Sequence, residues 1–165
     1  MSPEQKAILA RAAGARTNIL GSSVAGRARD IKAIEMLSED FGYHLDRGDA
    51  DGFAALFTED AVYTNGPRRS DGQAAIRAFF EARAQEPRTS RHLHGPIRIA
   101  FEGPDRATGL SVWTTYSAPG LPPIATTIPV VVADVEDVYL RNADRWRIAE
   151  RHIKAIFTTA ATPRK

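Results

Sequence analysis

The feature that most constrains this chain is a change of period near Pro87. Before it, apolar residues recur at three- and four-residue steps; after it, they alternate with polar ones. Helices first and long antiparallel strands last predict an α+β fold rather than a βαβ repeat. Ile31, Ile34, Leu37, Phe41 and Leu45 mark one face of a long helix, with Asp30 as its N-cap. That helix should end at Asp46-Arg47-Gly48, where glycine suits the left-handed terminal position. Asp49 then caps a short second helix with Phe53, Leu56 and Phe57 as its apolar face, and 61–65 reads as a short strand closed by the turn Asn65-Gly66-Pro67. A third helix over 72–84 is capped by Ser70 or Asp71 and packs through Ile76, Phe79 and Phe80. Strands follow at 90–101, 107–117, 126–141 and 145–157, separated by turn-forming residues.

Strands of this kind bury one face, so a strongly curved, mostly antiparallel sheet wrapped around the three helices is the economical arrangement. Where the curvature outruns the side chains available to fill it, a cavity remains, and that cavity is the natural ligand site. The 165 residues, 43% of them hydrophobic, suffice for one such core. No apolar run approaches the roughly 18–20 residues of a membrane span. With no cysteine, disulfides, thiolate metal sites and cysteine nucleophiles are excluded.

Charge is unevenly spread. Residues 1–32 carry six basic groups against Glu4 and Asp30, whereas 33–163 carry 14 basic and 18 acidic groups, a net of −4. An acidic body argues against a nucleic-acid partner. The basic leader lacks the apolar centre of a secretory signal and is interrupted by Gly14, Gly21 and Gly26. It is expected to form a short helix over 3–13 and a linker, lying on the surface or against a second subunit; a cytoplasmic location is expected from the missing export signal. There is no glycine-rich phosphate loop and no Gly-x-Ser-x-Gly elbow. A reaction without a cofactor is therefore the natural enzyme hypothesis.

Four stretches together resemble the SnoaL-like branch of the nuclear transport factor 2-like superfamily. They are FGYHLDRGDADGFAALFTEDAVYTNG, SDGQAAIRAFFEAR, TSRHLHGPIRI and VADVEDVYLRNADRWRIAERHI, spanning about 30–157. The resemblance implies a cone of scytalone dehydratase, bile-acid dehydratase and ketosteroid isomerase type, with an inner pocket. It also implies a homo-oligomer, a dimer or trimer, often paired through the outer sheet face. The domain is then 30–158, flanked by an extension over 1–29 and a tail over 159–165.

By the same resemblance, Asp46 stands where dehydratase-like members carry a pocket aspartate, and His92 where they carry the acid/base histidine. An imidazole titrating near pH 6.5 suits proton transfer at neutral pH. His94, two residues on, shares the strand face of His92; a metal on the pair is disfavoured because no further ligand is near in sequence. The family's tyrosine is Phe41 in this chain, so Tyr43 or Tyr63 would have to supply the phenol. Arg151 aligns with an arginine that can point into the family's pocket, where it would clamp a carboxylate, phenolate or enolate. Its alternative role is a cross-strand ion pair with Asp137 that pins register. Asp46, His92 and Tyr43 are thus the catalytic candidates. Phe41, Tyr63, His94, Trp113, Asp137 and Arg151 are the candidates for substrate contact, although Trp113 also reads as core.

The resulting expectation is a lyase or isomerase without metal or organic cofactor, acting on a hydrophobic cyclic or aromatic small molecule. Two alternatives stand beside it: a non-catalytic ligand-binding or dimerising module, which Phe41 favours, and a small structural subunit of a ring-hydroxylating dioxygenase.

Overall fold

The computed structural model describes residues 24–125, 128–143 and 145–159. The helix expected over 3–13, and nearly all of the tail, lie outside them. Helix α1 (Val24–Arg47) starts ahead of Asp30, so Asp30 is not its cap. The Asp30 carboxylate instead accepts hydrogen bonds from the Trp146 indole at 2.9 Å and from Arg141 Nη1 at 3.0 Å, which pins the helix to the closing hairpin. Ile34, Leu37, Phe41 and Leu45 are buried as their spacing predicts, whereas Ile31 is 37% exposed. Each such burial contributes roughly 1.5–3 kcal/mol. Gly48 ends α1 with a φ of +71°.

Asp49 caps α2 (Ala50–Ala55) by accepting from the Gly52 amide at 2.9 Å. The helix is shorter than its apolar face suggested, because Phe57 already opens β1 (Phe57–Asn65). After a turn at Gly66, β2 (Arg68–Asp71) pairs back on β1. The sequence gives no hint of β2, since Arg-Arg-Ser-Asp has no apolar alternation. Helix α3 (Gln73–Ala84) follows Gly72, whose φ is +86°. Neither Ser70 nor Asp71 caps it: Gly72 occupies the cap position, and the Asp71 carboxylate is held by Arg69 at 2.9 Å. The Gln73 amide ties the helix start to the carbonyls of Ala54 and Phe57.

The remaining strands are β3 (Arg88–His94), β4 (Arg98–Phe101), β5 (Arg106–Pro119), β6 (Val131–Asn142) and β7 (Arg145–Thr158). The seven-stranded sheet runs β2-β1-β7-β6-β5-β3, with β4 also on β5; every pairing is antiparallel except β1 with β7. The strand expected over 90–101 is therefore two strands lying along successive parts of β5. Gly95-Pro96 breaks it, since proline cannot donate to the ladder. Register shifts in the β6–β7 pairing, at Val132/Ala133 and Val138/Tyr139, are bulges that deepen the twist. Gly109 makes room for the buried Tyr139 ring: a Cβ there would lie 2.8 Å from it. The sheet closes into a curved cone around α1, as the pattern implied. No helix among the described residues is long and apolar enough to cross a membrane.

Candidate active site

Between α1, α3 and the hollow of the sheet lies a cavity of about 240 Å³. Phe41 and Leu45 reach it from α1, Phe79 and Phe80 from α3, and Tyr63, Trp113 and Val135 from the sheet. Its walls are thus largely apolar, and a few polar groups interrupt them.

One of these groups is His92, at the place where β3 meets the end of α1. Gly42 marks the point of contact, where a Cβ would just touch the His92 carbonyl oxygen at 3.4 Å. One turn further along, Asp46 meets β3 with both carboxylate oxygens. Oδ1 accepts from His92 Nδ1 at 2.6 Å and from the Ser90 hydroxyl at 2.8 Å, and Oδ2 accepts from the His92 amide at 2.9 Å. The side chains of Asp46 and His92 are 5% and 12% exposed, so this pair is sheltered from competing water. Burial opposes the Asp46 charge, but the hydrogen bonds and charge of His92, with the Ser90 hydroxyl, outweigh it and hold the carboxyl below its ordinary 3.8. An ionised carboxylate only accepts, so Nδ1 carries a proton, and in the neutral ring Nε2 is left with its lone pair.

This arrangement has a consequence for acid stability. A carboxyl whose pKa is depressed by folding adds stability above its unfolded value near 3.8, and that contribution is lost as the pH falls through the lower folded value. Denaturant titrations taken from neutral pH to about pH 3 should show a loss in the wild type that Asp46→Asn lacks. Parallel curves would mean that the carboxylate adds nothing to the fold.

The other candidates divide. Phe41, Tyr63, Trp113 and Arg151 line the cavity with His92. The phenol of Tyr63 is 3% exposed and is pushed above its ordinary range by burial, against a weaker opposing bond to Asn65. Tyr43 does not line the cavity: it is 53% exposed, with its ring under the Arg47 guanidinium, because position 43 falls on the outward flank of α1. It borders a shallow groove on the far side of the dyad, which Asp46, His92 and His94 also border. His94 is not in the cavity wall either. It bonds the Gly95 carbonyl at 3.0 Å and stacks against Trp113, whose indole stands at the cavity. The two histidines are spent on different partners, and among the described residues no group of three or more potential ligands could hold a metal.

Asp137 lies behind the cavity wall rather than in it. It faces Arg151 in the β6–β7 register and is bound by it at 2.7 and 2.8 Å, with both side chains fully buried. Tyr139 donates to the same carboxylate at 2.6 Å, and Ser38 accepts from Arg151 at 3.2 Å. Burial opposes the Arg151 charge, and Asp137 outweighs it, so the guanidinium stays firmly protonated. Its Nη1 is buried and has no hydrogen-bond partner, although the residue lines the cavity and its guanidinium lies 4.1 Å from the Phe41 ring. Of the two roles offered from the sequence, the ion pair with Asp137 is formed, and the same residue also borders the cavity. Sequence reasoning missed Arg68, Arg83, Arg88 and Ser117, which also line the cavity. The three arginines sit at element ends, where charge ordinarily means solvent.

A family model described as SnoaL-like domain matches residues 26–152. No curated protein matches the chain in sequence. Among solved structures, a Mycobacterium tuberculosis protein of unknown function is similar at 25% identity and a TM-score of 0.68, covering 76% of each chain. A Novosphingobium aromaticivorans protein named as a candidate scytalone dehydratase is similar at 22% identity and a TM-score of 0.74, covering 86% of this chain and 94% of its own. A hexachlorocyclohexane dehydrochlorinase is similar at 16% identity and a TM-score of 0.72, covering 86% and 95%.

Proposed function

This chain belongs to the SnoaL-like domain family, and we propose that its cavity houses a lyase or isomerase of the dehydratase kind. Its chemistry draws on side chains alone, and its substrate is a cyclic or aromatic small molecule. The observation that carries this reading is the Asp46–His92 pair, whose histidine lines an open, mostly apolar cavity with the carboxylate bound behind it. Asp46 orients the ring and stabilises the imidazolium. His92 Nε2 takes a proton from a carbon beside a carbonyl or activated ring, then returns it to a departing or rearranging oxygen. A well-placed group of this kind contributes roughly 10²- to 10⁴-fold. Arg151, a permanently charged side chain that borders the cavity, is the residue best suited to an oxygen on which negative charge develops. Phe41 supplies no phenol, and Tyr63 is the remaining one in the wall.

The open cavity favours catalysis over a stoppered, vestigial pocket. The names of two structural neighbours, one for loss of water and one for loss of hydrogen chloride, guide only the choice of compounds. The test is to incubate the protein in deuterium oxide with cyclic ketones and β-hydroxy ketones of one or two rings. Protein-dependent deuterium uptake beside the carbonyl, or loss of water, is the expected result. Failure across the whole set would sink the acid/base reading and leave a binding module.

A further inference from the structure

The cavity is strongly one-sided in charge. Among the described residues four arginines line it, Arg68, Arg83, Arg88 and Arg151, and no aspartate or glutamate does. Each arginine can be followed to its partners. Arg151 is neutralised from behind by Asp137. Arg68 lies over the Phe79 ring, 4.1 Å from its centre. Arg88 is 3.7 Å from the exposed Glu86, a contact too loose and too wet to count for much. Arg83, half-buried at the end of α3, has a long hydrogen bond to the Leu45 carbonyl at 3.4 Å and no ion pair with a carboxylate among the described residues. Burial, and then the like charge of Arg88, both work against its protonated form.

Two guanidinium groups on one cavity wall, near enough for the charge of Arg88 to oppose that of Arg83, are unfavourable unless an anion joins them. From these positions we infer that the ligand is itself anionic: a one- or two-ring apolar body bearing an oxyanion group, carboxylate or phosphate, held by Arg83 and Arg88. This deepens the reading above, since it rests on the same cavity. The volume sets the size of the body, because about 240 Å³ is roughly eight times a water molecule's share of the liquid. Arg151 and Ser117 belong to the same wall, and Arg151 Nη1 and Ser117 Oγ are buried without a hydrogen-bond partner. Arginine suits the edge role because its planar fork binds carboxylate or phosphate with two parallel bonds.

The test is calorimetric binding of naphthoate, naphthyl phosphate and neutral methyl naphthoate at low salt. At least one anion should bind about 10- to 100-fold more tightly than the ester, as expected for charge-assisted hydrogen bonds. Which anion wins identifies the group. The preference should fall to within about threefold in Arg83→Met/Arg88→Met. The single Arg88→Met, at an exposed side chain, should weaken it too and serves if the double variant does not fold. An ester that binds as tightly as both anions, a preference that survives both substitutions, or no anion binding at all would each overturn the inference. Asp46→Asn should keep the preference whatever happens to turnover, so the anion reading and the acid/base reading fail separately.

Discussion

Arg151→Met is expected to lower stability by about 3–5 kcal/mol, the largest effect of any single substitution considered. The reason is the carboxylate left behind rather than the ion pair removed. Asp137 is fully buried in the β6–β7 ladder and, among the described residues, keeps only the Tyr139 hydroxyl as a side-chain donor once both guanidinium bonds are gone. That phenol, pushed well above its ordinary range by burial and by the Asp137 charge, cannot balance it as a cation would. For a chain of this size the loss corresponds to roughly 6–20 °C in Tm. Asp137→Asn in the same chain removes the charge yet keeps an acceptor for Tyr139, so the double variant should regain a substantial part of the loss. Thermal and denaturant unfolding of the two variants would check both statements. A single variant within about 1 kcal/mol of wild type, or a double variant no better than the single, would show that the buried charge is not what matters.

This pair also marks how far the sequence could be read. The alternation expected over 126–141 and 145–157 placed Asp137 and Arg151 on long neighbouring strands, and the two face each other in the β6–β7 register. What period cannot express is that a strand side chain in a curved sheet can touch two environments. Arg151 binds Asp137 through one edge of its guanidinium and is also among the residues that border the cavity, so an ion pair and an inward position do not exclude each other. Asp46 and His92 were legible for a different reason: a helix-end carboxylate and a strand-entry histidine are fixed by local motifs, and the resemblance supplied their meeting.

Tyr43 shows the limit of helical spacing. Three residues from Asp46 lie on a common flank, but α1 turns that flank outward at 43 and inward at 41 and 45. The apolar pattern already implied as much, with Phe41 and Leu45 on the buried stripe and Tyr43 between them. The cap of α1 and the split of 90–101 went astray through tertiary effects. Asp30 is drawn away by Trp146 and Arg141 from the far end of the chain, and Pro96 ends a ladder whose apolar alternation runs past it. The cavity arginines were hidden more thoroughly, because an arginine at an element end looks the same in sequence whether it faces water or a ligand.

Asp46→Asn is expected to keep the fold and lower turnover of any substrate found by deuterium uptake by about 10²- to 10⁴-fold. The asparagine carbonyl can still accept from the Ser90 hydroxyl or the His92 amide, so β3 stays tied to the end of α1. Its amide, however, is a donor where the carboxylate only accepted. An amide N–H directed at His92 Nδ1 requires that nitrogen to give up its proton, which moves the ring's hydrogen to Nε2. The nitrogen left for the substrate then donates rather than accepts, and the imidazolium loses the charge that stabilised it. Nitrogen-15 spectra of the histidine rings would report the tautomer directly, with Nδ1 protonated in the wild type and Nε2 in the variant. Turnover should fall through kcat with KM little changed, because Asp46 is absent from the cavity wall and has no reason to contact bound substrate. A switched tautomer with undiminished turnover would remove His92 as the base. If the tautomer and the rate both stayed as in the wild type, Asp46 would be a strut between α1 and β3 and nothing more.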